Sequence, residues 1–405
     1  MYIRFEQITF FSSHLLGRYL SQTFATLDWT VTIKNITRWG HFIYSWPIGW
    51  YPCSPSGGRL IVHQNNGRMR FCKIIGVTTL LDSLARIQFA LTCNYGGMEE
   101  QEILEMFVEL FSRLGSGLVS IHPIFSPEYH VALVNNILRM DERMKMMTHS
   151  ENWILVNNLG IRIWCLVVVP VNIISPFVGP LLAHLKSRHS GRFWGARFLP
   201  SWIYESYLGI VAYALYELAM VFSNTQYTFF FGSVVLIYAA LNVGCLHLLI
   251  LRKALILKRV QTFQTLQILN SLHSEFYSTI FWPIGQNSVL SCHLAVNVLL
   301  VVRHFDLGWS RLITLFGCMI LAFVFEKYSI NANAEMYQVS NTFIRQLGGG
   351  SGGLLAKVTA RSLRPLKVHV GRFYFFKKST FTTYLATVVD YTMNVLIAML
   401  RLRNM

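Results

Sequence analysis

Long apolar runs separated by short basic segments dominate the hydrophobic pattern of this chain. A transmembrane helix requires about 20 mostly apolar residues, because the bilayer core leaves backbone amides without hydrogen-bond partners outside the helix. This template predicts an all-α membrane protein with seven transmembrane helices. The predicted spans are residues 71–94, 104–124, 158–182, 226–251, 281–302, 309–327 and 380–400.

An eighth apolar stretch, residues 207–222, is harder to assign. Glu217 lies within it, Glu205 precedes it, and the stretch is shorter than a full span. A carboxylate is costly inside a bilayer. We therefore expect 207–222 to be an outer extension packed against the fourth transmembrane helix, whereas a separate eighth span would invert the orientation of every later segment.

The composition excludes an ordinary soluble protein. Charged residues make up 13% of the chain and apolar residues 53%, whereas soluble domains average about 25% charged residues. The mean hydropathy is +0.42. The net charge of +16 would suggest nucleic-acid binding in a soluble chain, but the basic residues here lie mostly between apolar spans. We expect the lipid bilayer, and no nucleic acid, as a partner.

The distribution of Lys and Arg sets the expected orientation, since these residues accumulate on the cytoplasmic side of a membrane. With seven spans and a cytoplasmic N-terminus, basic residues inside outnumber those outside about threefold. Residues 139–145, 251–260 and 345–378 are basic and fall inside, whereas 95–102 falls outside and has no basic residue. The C-terminus is then extracellular. A few basic residues fall on the outer side against the rule: Lys186, Arg188, Arg192, Arg197, Arg401 and Arg403.

The last predicted span has a polar stripe. Its members recur at helical spacing and therefore share one face: Thr383, Thr387, Asp390, Tyr391 and Asn394. A carboxylate in the middle of a membrane should face water or a polar partner. Either this helix lines an aqueous path, where several copies of Asp390 would form a ring that favours cations, or Asp390 is buried and hydrogen-bonded to a neighbouring helix.

Two further pairs of opposite charge lie within predicted spans. Asp82 with Arg86, and Glu109 with Arg113, have the i, i+4 spacing of helical ion pairs. The pairs either line an outward-opening, water-filled pocket for a polar ligand or neutralise each other within the helix bundle.

Aromatic residues are dense near the outer halves of the predicted spans, and some could contribute to a ligand cage. Interfacial Trp and Tyr are nevertheless expected in any membrane protein. The candidate ligand-pocket residues are Asp82, Arg86, Glu109, Arg113, Trp164, Tyr213 and Glu217.

Signatures of enzymes are absent from the sequence. It has no HExxH, no GxSxG and no His pair with metal-ligand spacing and a carboxylate. We expect no enzymatic activity, cofactor or metal. The basic stretch 355–378 could bind anionic lipid headgroups, although it also follows from the positive-inside rule alone.

Residues 383–391, with the sequence TYLATVVDY, resemble the last-helix signature of arthropod gustatory receptors. That signature is Thr-Tyr, five hydrophobic residues and then Gln-Phe. Thr383 and Tyr384 match it, whereas Asp390 replaces Gln and Tyr391 replaces Phe. Upstream, the order of Ser362 in ARSLRPL, Gly371 after Val370, and FYFFKKST also fits the family, and residues 132–144 resemble its inner segment between the second and third helices.

The resemblance implies a seven-transmembrane chemoreceptor related to odorant receptors. Such receptors are ligand-gated cation channels of four subunits, homomeric or mixed with related receptors, in the plasma membrane. The last helix of each subunit lines the shared pore, and its pore-facing positions correspond here to Thr387, Asp390 and Tyr391. A small-molecule tastant or odorant enters an outward-facing pocket among the first six helices, and the cytoplasmic ends of helices four to seven form an anchor.

On this resemblance the chain divides into four regions. Residues 1–70 are a cytoplasmic N-terminal region, 71–327 hold the first six helices and the pocket, 328–379 form the anchor segment and linker, and 380–405 hold the pore helix and C-terminus. The alternatives are a G-protein-coupled receptor, a transporter or a membrane acyltransferase. The sequence lacks two motifs that would favour a G-protein-coupled receptor, Asp/Glu-Arg-Tyr after the third span and Asn-Pro-x-x-Tyr in the seventh. It also lacks the inverted repeat or catalytic His that would favour a transporter or an acyltransferase.

Overall fold

The computed structural model describes most of the chain, and the following account concerns these residues only. They are 29–42, 46–52, 58–63, 66–92, 100–148, 164, 166, 199–251, 256–303, 309–349, 353–403. The fold is built almost entirely of helices.

The N-terminal part of the described chain packs against the helices that follow it. Helix α1 (Trp29–Phe42) precedes an antiparallel hairpin of β1 (Ile48–Pro52) and β2 (Gly58–Val62). The side chain of Asn135 donates to the carbonyl of Leu60 and accepts from its N–H, both at 2.9 Å. These bonds occupy backbone groups of β2. Neither the helix nor the hairpin was predicted from the sequence.

Three helices follow in close succession. They are α2 (Asn66–Thr92), α3 (Glu100–Phe125) and α4 (Pro127–Thr148). Only Ser126 separates α3 from α4, and Pro127 opens α4 at a position where its missing N–H costs nothing. Helix α2 packs along α3, and α4 packs against β2.

A helix of 45 residues forms the centre of the molecule. After the short α5 (Ser201–Tyr204), helix α6 (Tyr207–Leu251) runs without interruption for about 68 Å. A bilayer core of about 30 Å accommodates fewer than half of these residues. Residues 207–222 extend the helix that contains the expected span 226–251. They were expected to be an extension, but they continue this helix and do not pack against it as a separate segment.

In the C-terminal half, one continuous helical segment changes from α-helix to π-helix and back to α-helix. Helix α7 (Ile256–His273), a π-helix (Ser274–Phe281) and α8 (Trp282–Arg303) are continuous. The remaining elements are α9 (Trp309–Gly349), α10 (Gly353–Ser362), β3 (His369–Val370), β4 (Tyr374–Phe375) and α11 (Thr380–Arg403). Helix α8 packs mainly on α3, and α9 packs mainly on α6.

Three helices of the described chain are long and apolar enough to cross a membrane, Gly67–Thr92, Tyr207–Leu251 and Ile256–Val301. The expected spans 104–124, 309–327 and 380–400 also lie within helices α3, α9 and α11. Most of the expected span 158–182 lies outside the described residues.

The main core is aromatic and surrounds the middle of α6. Phe230, Phe231, Tyr238, Phe276 and Tyr277 are fully buried there. Several large aliphatic side chains are exposed instead on the outer faces of helices, among them Leu81, Leu84, Leu215 and Ile320. Exposed apolar faces on helices of this length are expected where lipid, and not water, is the solvent. The chain is a multi-pass membrane protein.

Candidate functional site

The last helix, α11, is held to the rest of the chain along one edge. Tyr384, Val388 and Thr392 are buried and follow one another at i, i+4 and i+8, which places them on one line of the helix. This edge packs against α8 and α9. Two apolar side chains of the same helix, Leu385 and Val389, are exposed.

The predicted polar stripe lies on the uncovered part of α11. Thr383, Asp390, Tyr391 and Asn394 are exposed, and Thr387 is partly exposed. The hydroxyl groups of Thr383 and Thr387 donate to backbone carbonyls one turn earlier, at 3.1 and 3.0 Å.

Asp390 differs from the threonines in its contacts. It takes part in none of the ion pairs or side-chain hydrogen bonds found among the described residues. A carboxylate buried against a neighbouring helix, the alternative left open by the sequence, is not what this single chain shows.

Two polar contacts join the buried edge of α11 to its neighbours. The hydroxyl of Tyr384 donates to Glu326 Oε1 of α9, and both side chains are buried. His293 Nε2 of α8 lies 3.5 Å from Glu326 Oε2. One helical turn further along α8, Asn297 donates to Thr392 Oγ1 at 3.3 Å. Within a membrane, such polar contacts help to fix the position of one helix against another.

Glu326 was not among the residues predicted from the sequence to be functional. The signal was present, because Glu326 is the only carboxylate within the expected span 309–327. A lone carboxylate in such a segment is expected to have a polar partner, but the sequence did not show that this partner is the tyrosine of the Thr-Tyr motif.

A second connection links the entrance of α11 to the π-helix. The N–H of Trp282 donates to Tyr277 O, five residues earlier, and the next residue, Pro283, has no N–H. The carbonyl of Ser278 therefore lacks the donor that a continued π register would supply. The N–H of Gly371 donates to this carbonyl instead, at 2.7 Å.

Position 371 requires a glycine for two reasons, its backbone conformation and the atoms that surround it. Its φ is +58°, a region that residues with a Cβ adopt at a cost. A Cβ at this position would also lie 3.3 Å from Pro283 Cγ and 3.3 Å from the ring of Phe373. The motif residue Gly371 thus has a physical role in the junction. The other upstream motif residue, Ser362, is exposed and donates to Thr359 O at 2.8 Å.

The charged residues of the expected pocket form one buried cluster. Arg86 contacts Asp82 at 3.0 Å and Glu217 at 2.8 Å, and Arg113 contacts Asp82 at 3.2 Å and also Glu217. The hydroxyl of Tyr216 donates to Asp82 Oδ1 at 2.6 Å. Two guanidinium groups and two carboxylates from α2, α3 and α6 thus balance one another, and each side chain is at most 5% exposed. This arrangement is mutual neutralisation across helices.

The structure brings only part of the expected pocket together. The ring of Tyr213 packs at a tilt against that of Tyr216, with ring centroids 5.8 Å apart, beside the charged cluster. Trp164 is distant from it, since its Nε1 donates to Ser233 at 2.9 Å, about 24 Å along α6 from Glu217. The side chain of Glu109 lies outside the described residues.

Comparisons with known proteins give one result, a likeness of fold. No protein-family model matches the chain, and no curated protein matches it either. The solved insect olfactory receptor OR5 from Machilis hrabei in complex with eugenol superposes with a TM-score of 0.67 at 13% identity, covering 93% of this chain and 100% of the receptor chain. A second structure of that receptor gives a TM-score of 0.64 at 13% identity, covering 93% and 99%.

These values define the class of fold. The chain has the fold of an insect olfactory receptor over nearly its whole length.

Proposed function

We propose that this chain is a chemoreceptor channel of the insect odorant and gustatory receptor type, opened by a small molecule and permeable to cations. The observation that carries the proposal is Asp390. It is a carboxylate on the last helix of a membrane protein, exposed in the single chain and unpaired among the described residues. Such a group requires water or further polar groups around it.

Assembly of several copies supplies those surroundings. One helix cannot enclose a pore, but α11 is covered along one edge only and exposes Thr383 and Asp390. We propose a tetramer, with itself or with related receptors, in which α11 of each subunit faces a shared path. The resulting ring of Asp390 carboxylates favours cations. The Thr-Tyr motif and the olfactory-receptor fold support the same arrangement.

The proposal also assigns the other regions of the chain. We propose seven spans in the plasma membrane, a cytoplasmic N-terminus and an extracellular C-terminus, with residues 328–379 as a cytoplasmic anchor. The ring of Phe343 in this segment's helix stacks on Phe263 of α7, with centroids 4.9 Å apart, which supports a compact region there.

The ligand is proposed to be a small organic tastant or odorant without a strong charge. Eugenol, in the complex with the olfactory receptor of similar fold, is the ligand of that protein. Here the charged residues of the candidate pocket satisfy one another. They therefore stabilise the helices around a pocket and offer no free charge to a ligand.

The test of this function is the ion selectivity of Asp390 variants. The chain is expressed in cells and screened with neutral volatile and bitter compounds, eugenol included, while currents are recorded. Asp390→Asn removes the charge at constant size and should lower the preference for cations over anions severalfold, seen as a shift of the reversal potential in a salt gradient. Asp390→Glu, the matched control, should retain the selectivity. Unchanged selectivity in Asp390→Asn would show that Asp390 does not line the pore.

A further inference from the structure

The segment that leads into α11 is strongly and exclusively basic. Between Glu335 and Asp390 the sequence has no Asp or Glu. The basic residues of the same interval are Arg345, Lys357, Arg361, Arg364, Lys367, Arg372, Lys377 and Lys378. None of the ion pairs within the described part of the chain involves any of these eight side chains.

The hairpin of β3 and β4 concentrates half of these charges in a short segment, residues 367–378. We call this segment the basic hairpin. Phe375 organises it from within, since Lys367 Nζ lies 4.7 Å and Lys377 Nζ 5.0 Å from the centroid of its ring. Arg372, Lys377 and Lys378 are exposed.

Contacts with α8 place the basic hairpin at the level where two spans begin. The hydroxyl of Tyr374 donates to Gln286 Oε1 at 2.7 Å, about one turn into α8. The ring of Phe376 packs edge-on against Trp282, with centroids 4.6 Å apart. Since α8 contains the expected span 281–302 and α11 starts at Thr380, the hairpin lies at the boundary between the membrane and the cytoplasm in the proposed orientation.

Phe373 is the exposed tip of the hairpin. Its side chain is 84% exposed and is preceded by Arg372. Exposure of a large aromatic ring to water is unfavourable, whereas an aromatic ring beside cations is favourable where lipid headgroups meet acyl chains.

We infer that the basic hairpin binds anionic phospholipids of the cytoplasmic leaflet. The lipid phosphates contact Arg372, Lys377 and Lys378, and the ring of Phe373 reaches the boundary of the acyl chains. The inference rests on the proposed function for the orientation of the chain. Because only Ser379 separates Lys378 from α11, a bound lipid also holds the cytoplasmic end of the pore helix against α8.

The chemistry distinguishes a phospholipid from a soluble phosphate. Each Lys or Arg near an anionic membrane surface contributes roughly fivefold in affinity, so that three of them contribute about 100-fold. A soluble phosphate would gain from the same charges but not from Phe373. A phospholipid gains from both.

The experiment uses the full chain purified in an uncharged detergent. Fluorescent phosphatidylserine, phosphatidylinositol bisphosphate and phosphatidylcholine are added in mixed micelles, and binding is measured by anisotropy, with soluble inositol phosphate as competitor. We expect both anionic lipids to bind, the bisphosphate more tightly, and phosphatidylcholine to bind at background level. The combined variant Arg372→Gln, Lys377→Gln and Lys378→Gln should weaken anionic-lipid binding about 100-fold.

A matched variant separates this site from net charge. Arg139→Gln, Lys258→Gln and Arg345→Gln remove the same charge from exposed positions on α4, α7 and α9 and should leave binding within about twofold of the unmodified chain. Phe373→Ser should weaken phospholipid binding and leave the dissociation constant of inositol phosphate, obtained from the competition, unchanged. Elution as a single species shows that each variant is folded.

The inference is overturned if both triple variants lose binding equally, or if phosphatidylcholine binds as well as phosphatidylserine. It is also overturned if Phe373→Ser changes the number of copies in the assembly and not the lipid affinity, because the hairpin would then be a contact between copies. No current is needed for these measurements. A chain that binds lipid but never conducts would refute the proposed function alone.

Discussion

Arg113 lies between carboxylates of two other helices, Asp82 of α2 and Glu217 of α6. Substitution by Gln would leave two carboxylates facing one remaining guanidinium in a buried position. Breaking a buried ion cluster by removing one partner costs about 3–5 kcal/mol. We therefore expect Arg113→Gln to lower the thermal unfolding midpoint in detergent by many degrees and to reduce delivery to the cell surface.

The exposed pair of His247 and Glu335, 3.2 Å apart, provides the control. Both side chains are about half exposed, and a surface pair contributes about 0–1 kcal/mol. Glu335→Gln should therefore leave the midpoint nearly unchanged. If Arg113→Gln has the same unfolding midpoint as the unmodified chain, the cluster does not stabilise the bundle.

Part of this cluster was predictable from the sequence. The spacing of Asp82 and Arg86 indicated a pair on one helix, and Glu217 was recognised as a carboxylate in an apolar stretch. The sequence did not reveal that Arg113 contacts Asp82 and Glu217, because the vertical alignment of three separate helices depends on packing along their whole length. Local spacing specifies neighbours within a helix only.

At the scale of elements, the junction between the π-helix and β3 requires a residue without a Cβ at position 371. Ala at this position retains φ near +58° only with strain, at a cost of about 1–2 kcal/mol, and its Cβ would press on Pro283 and Phe373. Gly371→Ala should destabilise the protein by at least this amount, measured as a fall in the unfolding midpoint.

Gly353 is the matched control for Gly371. Its φ is +72°, and nothing lies within 4 Å of the position that a Cβ would occupy. Gly353→Ala therefore has the backbone strain without the steric contact. Equal effects of the two substitutions would show that the contact with Pro283 is unimportant.

Element boundaries were harder to predict than element types. The helical character of 226–251 and 309–327 was predicted, but the helices extend to 45 and 41 residues, because hydropathy identifies apolar windows and not the residues at which a helix begins or ends. The π-helix had one local signal, Pro283 in an apolar run. Its partner, Gly371, lies 93 residues after Ser278, to whose carbonyl it donates, and no pattern connects them.

At the scale of the whole molecule, the proposed topology gives a direct expectation. Epitope tags at the two termini should lie on opposite sides of the membrane, the N-terminal tag stained only after permeabilisation and the C-terminal tag stained on intact cells. The excess of basic residues in the inner segments is the physical reason. The reverse pattern would favour a G-protein-coupled receptor, and two tags on one side would require an even number of spans.

The buried edge of α11 also gives an expectation for how this helix moves. Tyr384, Val388 and Thr392 lie on one row of the helix surface, inclined by about 26° to the helix axis. A sideways displacement of α11 breaks all its contacts with α8 and α9 at once, whereas a rotation about this line preserves most of them. The motion of α11 that breaks the fewest contacts is therefore a rotation about its buried edge. In the proposed tetramer, four such rotations would change the width of the central passage without unwinding any helical turn.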